Sequence, residues 1–196
     1  MGLPKILIEF KTLAETLIAR SERGIVAVIL KDNSNTTKTA VYTKENEIVK
    51  SHYTATNLAY LSLVFMGGPS KVIVERVQTS DNISDALERL KNKRWYYLAV
   101  PGLGDGEADT VVEYIKKQRT QYHKTFKAVL PLAAADNEGI INFATDNIKI
   151  GAKTYTTAEF CCRIAGILAG LPLNRSATYY NSAGGRKHNQ KRNSGR

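Results

Sequence analysis

Cysteine is nearly missing from this chain: Cys161 and Cys162 are the two thiols in 196 residues. Neighbouring positions on a helix point in different directions, and two cysteines frame neither a disulfide scaffold nor a structural zinc site. A reduced, intracellular site of synthesis is the expectation. Long apolar runs are lacking as well. None approaches the ~20 residues that a membrane span needs, and Met1-Gly2-Leu3-Pro4 does not open a secretory signal. Histidine is scarce and scattered, at His52, His123 and His188. No GxGxxG or GK[ST] phosphate signature is present.

Basic charge is plentiful, with a net value of +10, which in general points to nucleic acid. Its distribution weakens that reading. Residues 181–196 hold Arg186, Lys187, Lys191, Arg192 and Arg196 and no acid. Without those five, the rest carries 23 basic against 18 acidic residues, a charge of +5. The tail also lacks aromatics on which bases could stack. It reads as a basic, disordered end, and no nucleic-acid partner is expected.

Hydrophobic residues make up 43% of the chain, enough for one good core. Ile25-Val-Ala-Val-Ile-Leu30 is a continuous apolar run of the kind buried on both faces of a sheet. Strands are also expected at 41–43, 71–77, 95–100, 126–132, 140–143 and 148–150. Helical spacing marks 54–66, a short stretch from Ser84, and 107–119. This alternation predicts an α/β domain with a mostly parallel sheet flanked by helices. The chain is organised around the stretch from Thr154 to Pro172. Thr156 and Glu159 have capping-box spacing, and Pro172 stops the helix. Phe160, Ile164, Ile167, Leu168 and Leu171 form an apolar stripe. Gly166 and Gly170 weaken a helix by about 1 kcal/mol each against alanine, which predicts close approach of another backbone, here the sheet. Residues 1–22 read as an extended N-terminal arm, with Ile6, Leu7, Ile8, Glu9 and Phe10 as its strand-forming core. An unpaired strand recruits another chain.

Candidate chemistry is thin. Gly102-Leu-Gly-Asp-Gly106 lies between a strand and a helix, where α/β folds place ligands, and glycine turns cradle phosphate. Asp105, Glu107 and Asp109 would repel an anion there. A nucleotide- or phosphate-binding protein using this loop remains the alternative. Asp109, His123 and Ser176 follow the order of a subtilisin triad without its sequence context. Asp136 and Glu138 resemble paired carboxylates, but Asn137 and Gly139 favour a polar turn. Cys161 and Cys162, at mid-helix and without a local histidine, read as small core residues rather than nucleophiles. No catalytic residue, cofactor or metal is expected.

Five strings carry a resemblance to a known family. They are Gly2-Leu-Pro-Lys5 with Ile8-Glu-Phe-Lys11, Arg20-Ser-Glu-Arg-Gly-Ile-Val-Ala-Val-Ile-Leu30, Asn137-Glu-Gly-Ile-Ile-Asn-Phe143, Lys153-Thr-Tyr-Thr-Thr-Ala-Glu-Phe160 and Gly166-Ile-Leu-Ala-Gly-Leu-Pro172. Over residues 1 to about 180 the chain resembles the contractile tail sheath proteins of bacteriophages and phage-tail-like bacteriocins, in their short form. The resemblance implies a domain at 23–180 that is subtilisin-like in fold and without protease activity. It implies self-assembly into rings around a tail tube, with baseplate and tail terminator proteins as further partners and no direct membrane insertion. The arm would add as a strand to a neighbouring copy, and the sheath would shorten to drive the tube through a cell envelope. The expected place is the virion tail, after synthesis in the bacterial host cytoplasm. After Tyr180 the text departs from the family. One choice of codons for Asn181 to His188, read one base later, gives Ile-Leu-Pro-Glu-Val-Glu-Ser-Ile. The expectation is a frameshifted tail at 181–196 on a truncated sheath chain.

Overall fold

The computed structural model describes residues 24–104, 106–172 and 174–178. The strand-forming core of the arm, Ile6 to Phe10, and the basic tail at 181–196 lie outside them. The centre of the molecule is β1 (Ile25–Lys31), whose residues Ile25 to Leu30 are all buried. It pairs in parallel with β3 (Lys71–Val77) on one side and β4 (Tyr97–Ala99) on the other. The sheet has six strands in the order β2-β3-β1-β4-β5-β6. β5 (Lys127–Pro131) and β6 (Ile140–Phe143) continue the parallel set, while β2 (Thr39–Tyr42) runs antiparallel at the far edge. A separate antiparallel hairpin joins β7 (Ile148–Ile150) to β8 (Lys153–Tyr155).

Alternation along the strands divides the core into two layers. Ile25, Ala27 and Ile29 face the layer of α2 (Ser84–Leu90) and α3 (Glu107–Thr120). Val26, Val28 and Leu30 face the layer of α1 (Ala55–Phe65) and α4 (Thr157–Gly170). In the first layer Trp95 stacks on Phe126 with ring centroids 3.7 Å apart and donates Nε1–H to the Leu90 carbonyl at 3.1 Å. The indole is thus buried with its one polar group satisfied.

The helix at 157–170 starts as its sequence dictates. Thr156 Oγ1 accepts from the Glu159 N–H at 3.3 Å, and the Glu159 carboxylate takes the Thr156 N–H at 2.8 Å. Its packing differs from the expected stripe. Phe160, Ile164 and Leu168 are half-buried, and the most deeply buried face is made of Cys161, Cys162, Ala165 and Gly166. The glycines do face another backbone, but it belongs to the end of α1 rather than to the sheet. A Cβ on Gly166 would stand 2.1 Å from the Val64 carbonyl oxygen, and one on Gly170 would stand 2.2 Å from that of Gly67.

Two strands are shorter than their apolar runs. Trp95 and Tyr96 precede β4 rather than joining it. The fourth apolar run stops pairing at Pro131, and Leu132 turns into the left-handed region at φ 55°. β8 was not expected: after a turn at Gly151 (φ 63°), Lys153 to Tyr155 pair back onto β7 ahead of the helix.

Candidate functional site

Open α/β sheets bind ligands beyond the carboxyl ends of their strands. In this chain that edge is formed by the ends of β1, β3 and β4. The Gly102–Gly106 turn lies there, and Gly106, at φ 74°, is the residue before α3. The side chain of Glu107 folds back over the turn. One of its oxygens accepts the Gly104 N–H, and the other pairs with Lys31 Nζ at 2.8 Å. An anion approaching this turn would meet a carboxylate already in the place where phosphate would sit. The alternative of a nucleotide-binding loop finds no support, for this physical reason.

Asp32, directly after β1, is 2% exposed. Its carboxylate accepts from the Ser34 N–H at 2.8 Å, the Thr54 N–H at 2.9 Å and Asn57 Nδ2 at 2.6 Å. Burial pushes its pKa up, but the hydrogen bonds from Asn57, Thr54 and Ser34 outweigh it and hold the group down to about 2. Asp32 therefore braces the end of β1 against the start of α1, where a helix N-terminus favours negative charge.

Beside it, β3 buries two opposite charges in succession. Glu75 is fully buried on the α2 side, where it binds Arg89 Nε at 2.7 Å, Thr39 Oγ1 at 2.9 Å and Lys93. Arg76, on the α1 side, donates to the carbonyls of Thr37 at 2.6 Å and His52 at 2.8 Å, and lies 4.5 Å over the Tyr53 ring. An open cleft of about 270 Å³ runs between these groups and Asp81 and Asp85. Its innermost charges are engaged in holding the loops 33–38 and 50–53. Sequence reasoning passed over Asp32, Glu75 and Arg76. The signal was present for two of them: paired charges inside an otherwise apolar strand need buried partners.

The other candidates separate. Asp109 stands in the first turn of α3 and His123 beyond its last, roughly 17 Å of helix apart at 1.5 Å per residue. Ser176 Oγ hydrogen-bonds Thr178 Oγ1 at 3.0 Å. These three do not form a triad. Glu138 pairs with Arg119, and Asn137 accepts the Gly139 N–H at 2.9 Å, so the stretch is the polar turn expected. Cys161 and Cys162 are buried; burial pushes the Cys161 thiol up to about 12 and raises the Cys162 thiol well above its ordinary range. Neither is poised as a thiolate nucleophile. Among the described residues, no helix is long and apolar enough to cross a membrane.

Residues 77–184 match the model of the phage tail sheath protein central domain. Over 186 residues the chain is 38% identical to the tail sheath protein of Clostridium phage phiCD119. The chain belongs to the phage tail sheath family. That alignment takes in 91% of this chain and 51% of the phage protein, so the chain spans about half the length of that curated relative. Two solved sheath tail proteins share the fold at low identity. The one from Desulfitobacterium hafniense has a TM-score of 0.65 at 14% identity, covering 79% of this chain and 60% of the other. The one from Listeria innocua has a TM-score of 0.68 at 13% identity, covering 83% and 61%. Both place the mostly parallel sheet and its flanking helices among sheath folds.

Proposed function

We propose that this chain acts as a structural subunit of a contractile phage tail, or of a phage-tail-like particle, polymerising with copies of itself around a tail tube. The observation that carries the reading is the 38% identity to a tail sheath protein across nearly the whole chain. The described body supports it from the chemical side, since the glycine turn at the ligand-binding edge of its sheet is filled by its own Glu107 carboxylate. The role is mechanical and involves no catalysis. Baseplate and tail terminator proteins cap the polymer, and its place is the virion tail after synthesis in the host cytoplasm.

Within this reading, residues 1–22 form the arm and 23–180 the sheath body, with 181–196 a basic appendage. Ile6 to Phe10 add as a strand to a neighbouring copy, so that backbone hydrogen bonds hold subunits together while their bodies reorient. Negative-stain electron microscopy of the purified chain at rising concentration tests the reading. Rings or tubes are the expected result. Monodisperse single particles at every concentration, with or without tube protein, would overturn it.

A further inference from the structure

The described body begins at Gly24, with 23 residues before it. Gly24 enters at the edge of the sheet where the parallel strands start. Its carbonyl accepts the Ser70 N–H at 2.9 Å, and a Cβ placed on it would stand 3.1 Å from the Ala169 carbonyl oxygen. The carbonyl of the next residue, Ile25, accepts the Tyr96 N–H at 3.0 Å. Ala169 and Tyr96 are also walls of an open cavity of about 230 Å³, whose other apolar walls are Tyr97, Leu168 and Leu171. Those three and Tyr96 are only half-buried. The preceding chain therefore leaves the body beside an apolar groove.

The sequence just before Gly24 is suited to such a surface. Thr12-Leu-Ala-Glu15 has the spacing of a capping box. Leu13 and Leu17, and Ala14 and Ile18, are four positions apart and share one face of a helix, with Glu15, Thr16 and Ala19 on the other. A nine-residue helix does not hold in water by itself and needs a surface to pack on. Residues 21–23 separate Arg20 from Gly24 and span at most about 10 Å, which confines the helix to the surroundings of Gly24. The other end of the chain has no such face. It offers Tyr179 and Tyr180, and from there to Arg196 Ala183 is the one hydrophobic residue.

We infer that residues 12–20 form a short helix that docks across this groove on their own body, with Leu13, Leu17 and Ile18 against Tyr97, Leu168 and Leu171. The docked helix fixes the root of the arm and divides the arm into a helix at 12–20 and a strand at 6–10. Residues 1–11 then reach at most about 40 Å, against about 80 Å for 23 free residues. The contact lies within one chain. Its use, a fixed starting point for the strand that joins a neighbour, rests on the self-assembly proposed above.

Hydrogen exchange read by mass spectrometry on the full chain tests the docking. The amides of residues 16–20 should exchange at least roughly tenfold slower than in an unstructured chain, and by the same factor at every dilution. Leu17→Asp in the helix and Leu171→Asp in the groove should each remove that protection while the amides of β1 keep theirs. Should Leu171→Asp loosen β1 as well, the milder Leu171→Ser takes its place, with the same result expected. Residues 16–20 that exchange at the unstructured rate in the wild-type chain overturn the docking. So does protection that survives the groove variant, or protection that falls on dilution and so belongs to a contact between copies. Assembly is scored separately by electron microscopy. Tubes from a chain with 16–20 unprotected leave the sheath reading standing without this contact, and a protected chain that never assembles keeps the contact and removes that reading.

Discussion

Replacing Gly166 with alanine inserts one methyl group where α4 crosses the end of α1. The new carbon would lie 2.1 Å from the Val64 carbonyl oxygen, 2.9 Å from its carbon and 3.1 Å from its Cα. All three are backbone atoms of a packed helix, so no rotamer change relieves the overlap. Ordinary non-bonded separations are roughly 3.5 Å, and the helices would have to part by about 1 Å. Alanine gains about 1 kcal/mol over glycine in helix propensity. Overpacking costs about 1–3 kcal/mol, and more where the clash is with backbone. The clash wins, and the variant should lose about 2 kcal/mol, or roughly 4–8 °C in melting temperature for a domain of this size. Urea denaturation followed by circular dichroism measures it. Gly102→Ala is the control: a Cβ there meets nothing within 4 Å, and the position has no positive φ. It should be neutral or stabilise by about 0.4–1 kcal/mol through the unfolded state. A Gly166→Ala chain as stable as wild type would refute the close-approach argument, as would a Gly102→Ala chain that loses more.

Asp32→Ala should destabilise by about 2 kcal/mol at neutral pH, because the hydrogen bonds from Asn57, Thr54 and Ser34 favour the ionised carboxyl in the folded chain by that order. The folded pKa of about 2 lies below the ordinary 3.8. The contribution is thus complete above about pH 4 and disappears as pH falls through 2, and denaturant melts of wild type and variant should converge across that window. Glu75→Gln removes a fully buried charge from between Arg89 and Lys93, whose side chains are 26% and 31% exposed. Because both cations can reach water, the loss should be about 2 kcal/mol rather than the 3–5 kcal/mol of a sealed pair, as read from urea midpoints. Cys161 and Cys162 should resist alkylation in the folded chain up to about pH 9, and should react together once urea unfolds it. Rapid labelling of either thiol in the native protein would contradict their placement under α1.

The sequence and the structure agree most closely where one local interaction decides. The continuous apolar run at 25–30 became the central strand, and the Thr156–Glu159 spacing became a capping box. They part where tertiary packing decides. The large residues of α4 sit at its flanks because its small residues are what permit contact with α1. The run at 126–132 ends at Pro131 because Leu132, whose N–H makes the last rung of the ladder to the Phe143 carbonyl, leaves the extended region at φ 55°. The buried Glu75 and Arg76 were legible as a conflict between charge and context, but not as the two separate networks they form on opposite faces.

The reading of function followed the same division. Residue chemistry excluded more than it identified, and family membership came from long strings rather than from any site. There is a physical reason for that. A catalytic or nucleotide site concentrates its requirement in a few polar groups at fixed spacing, which leaves a short motif. Association spreads its requirement over a surface brought together by the fold. At the edge where an α/β enzyme would keep an open crevice, this chain places Glu107 in its own glycine turn and Asp32 against its own helix. The open cleft beside Asp32 is held by contacts of the same internal kind, since Asp32 and Arg76 engage their charges with the loops 33–38 and 50–53.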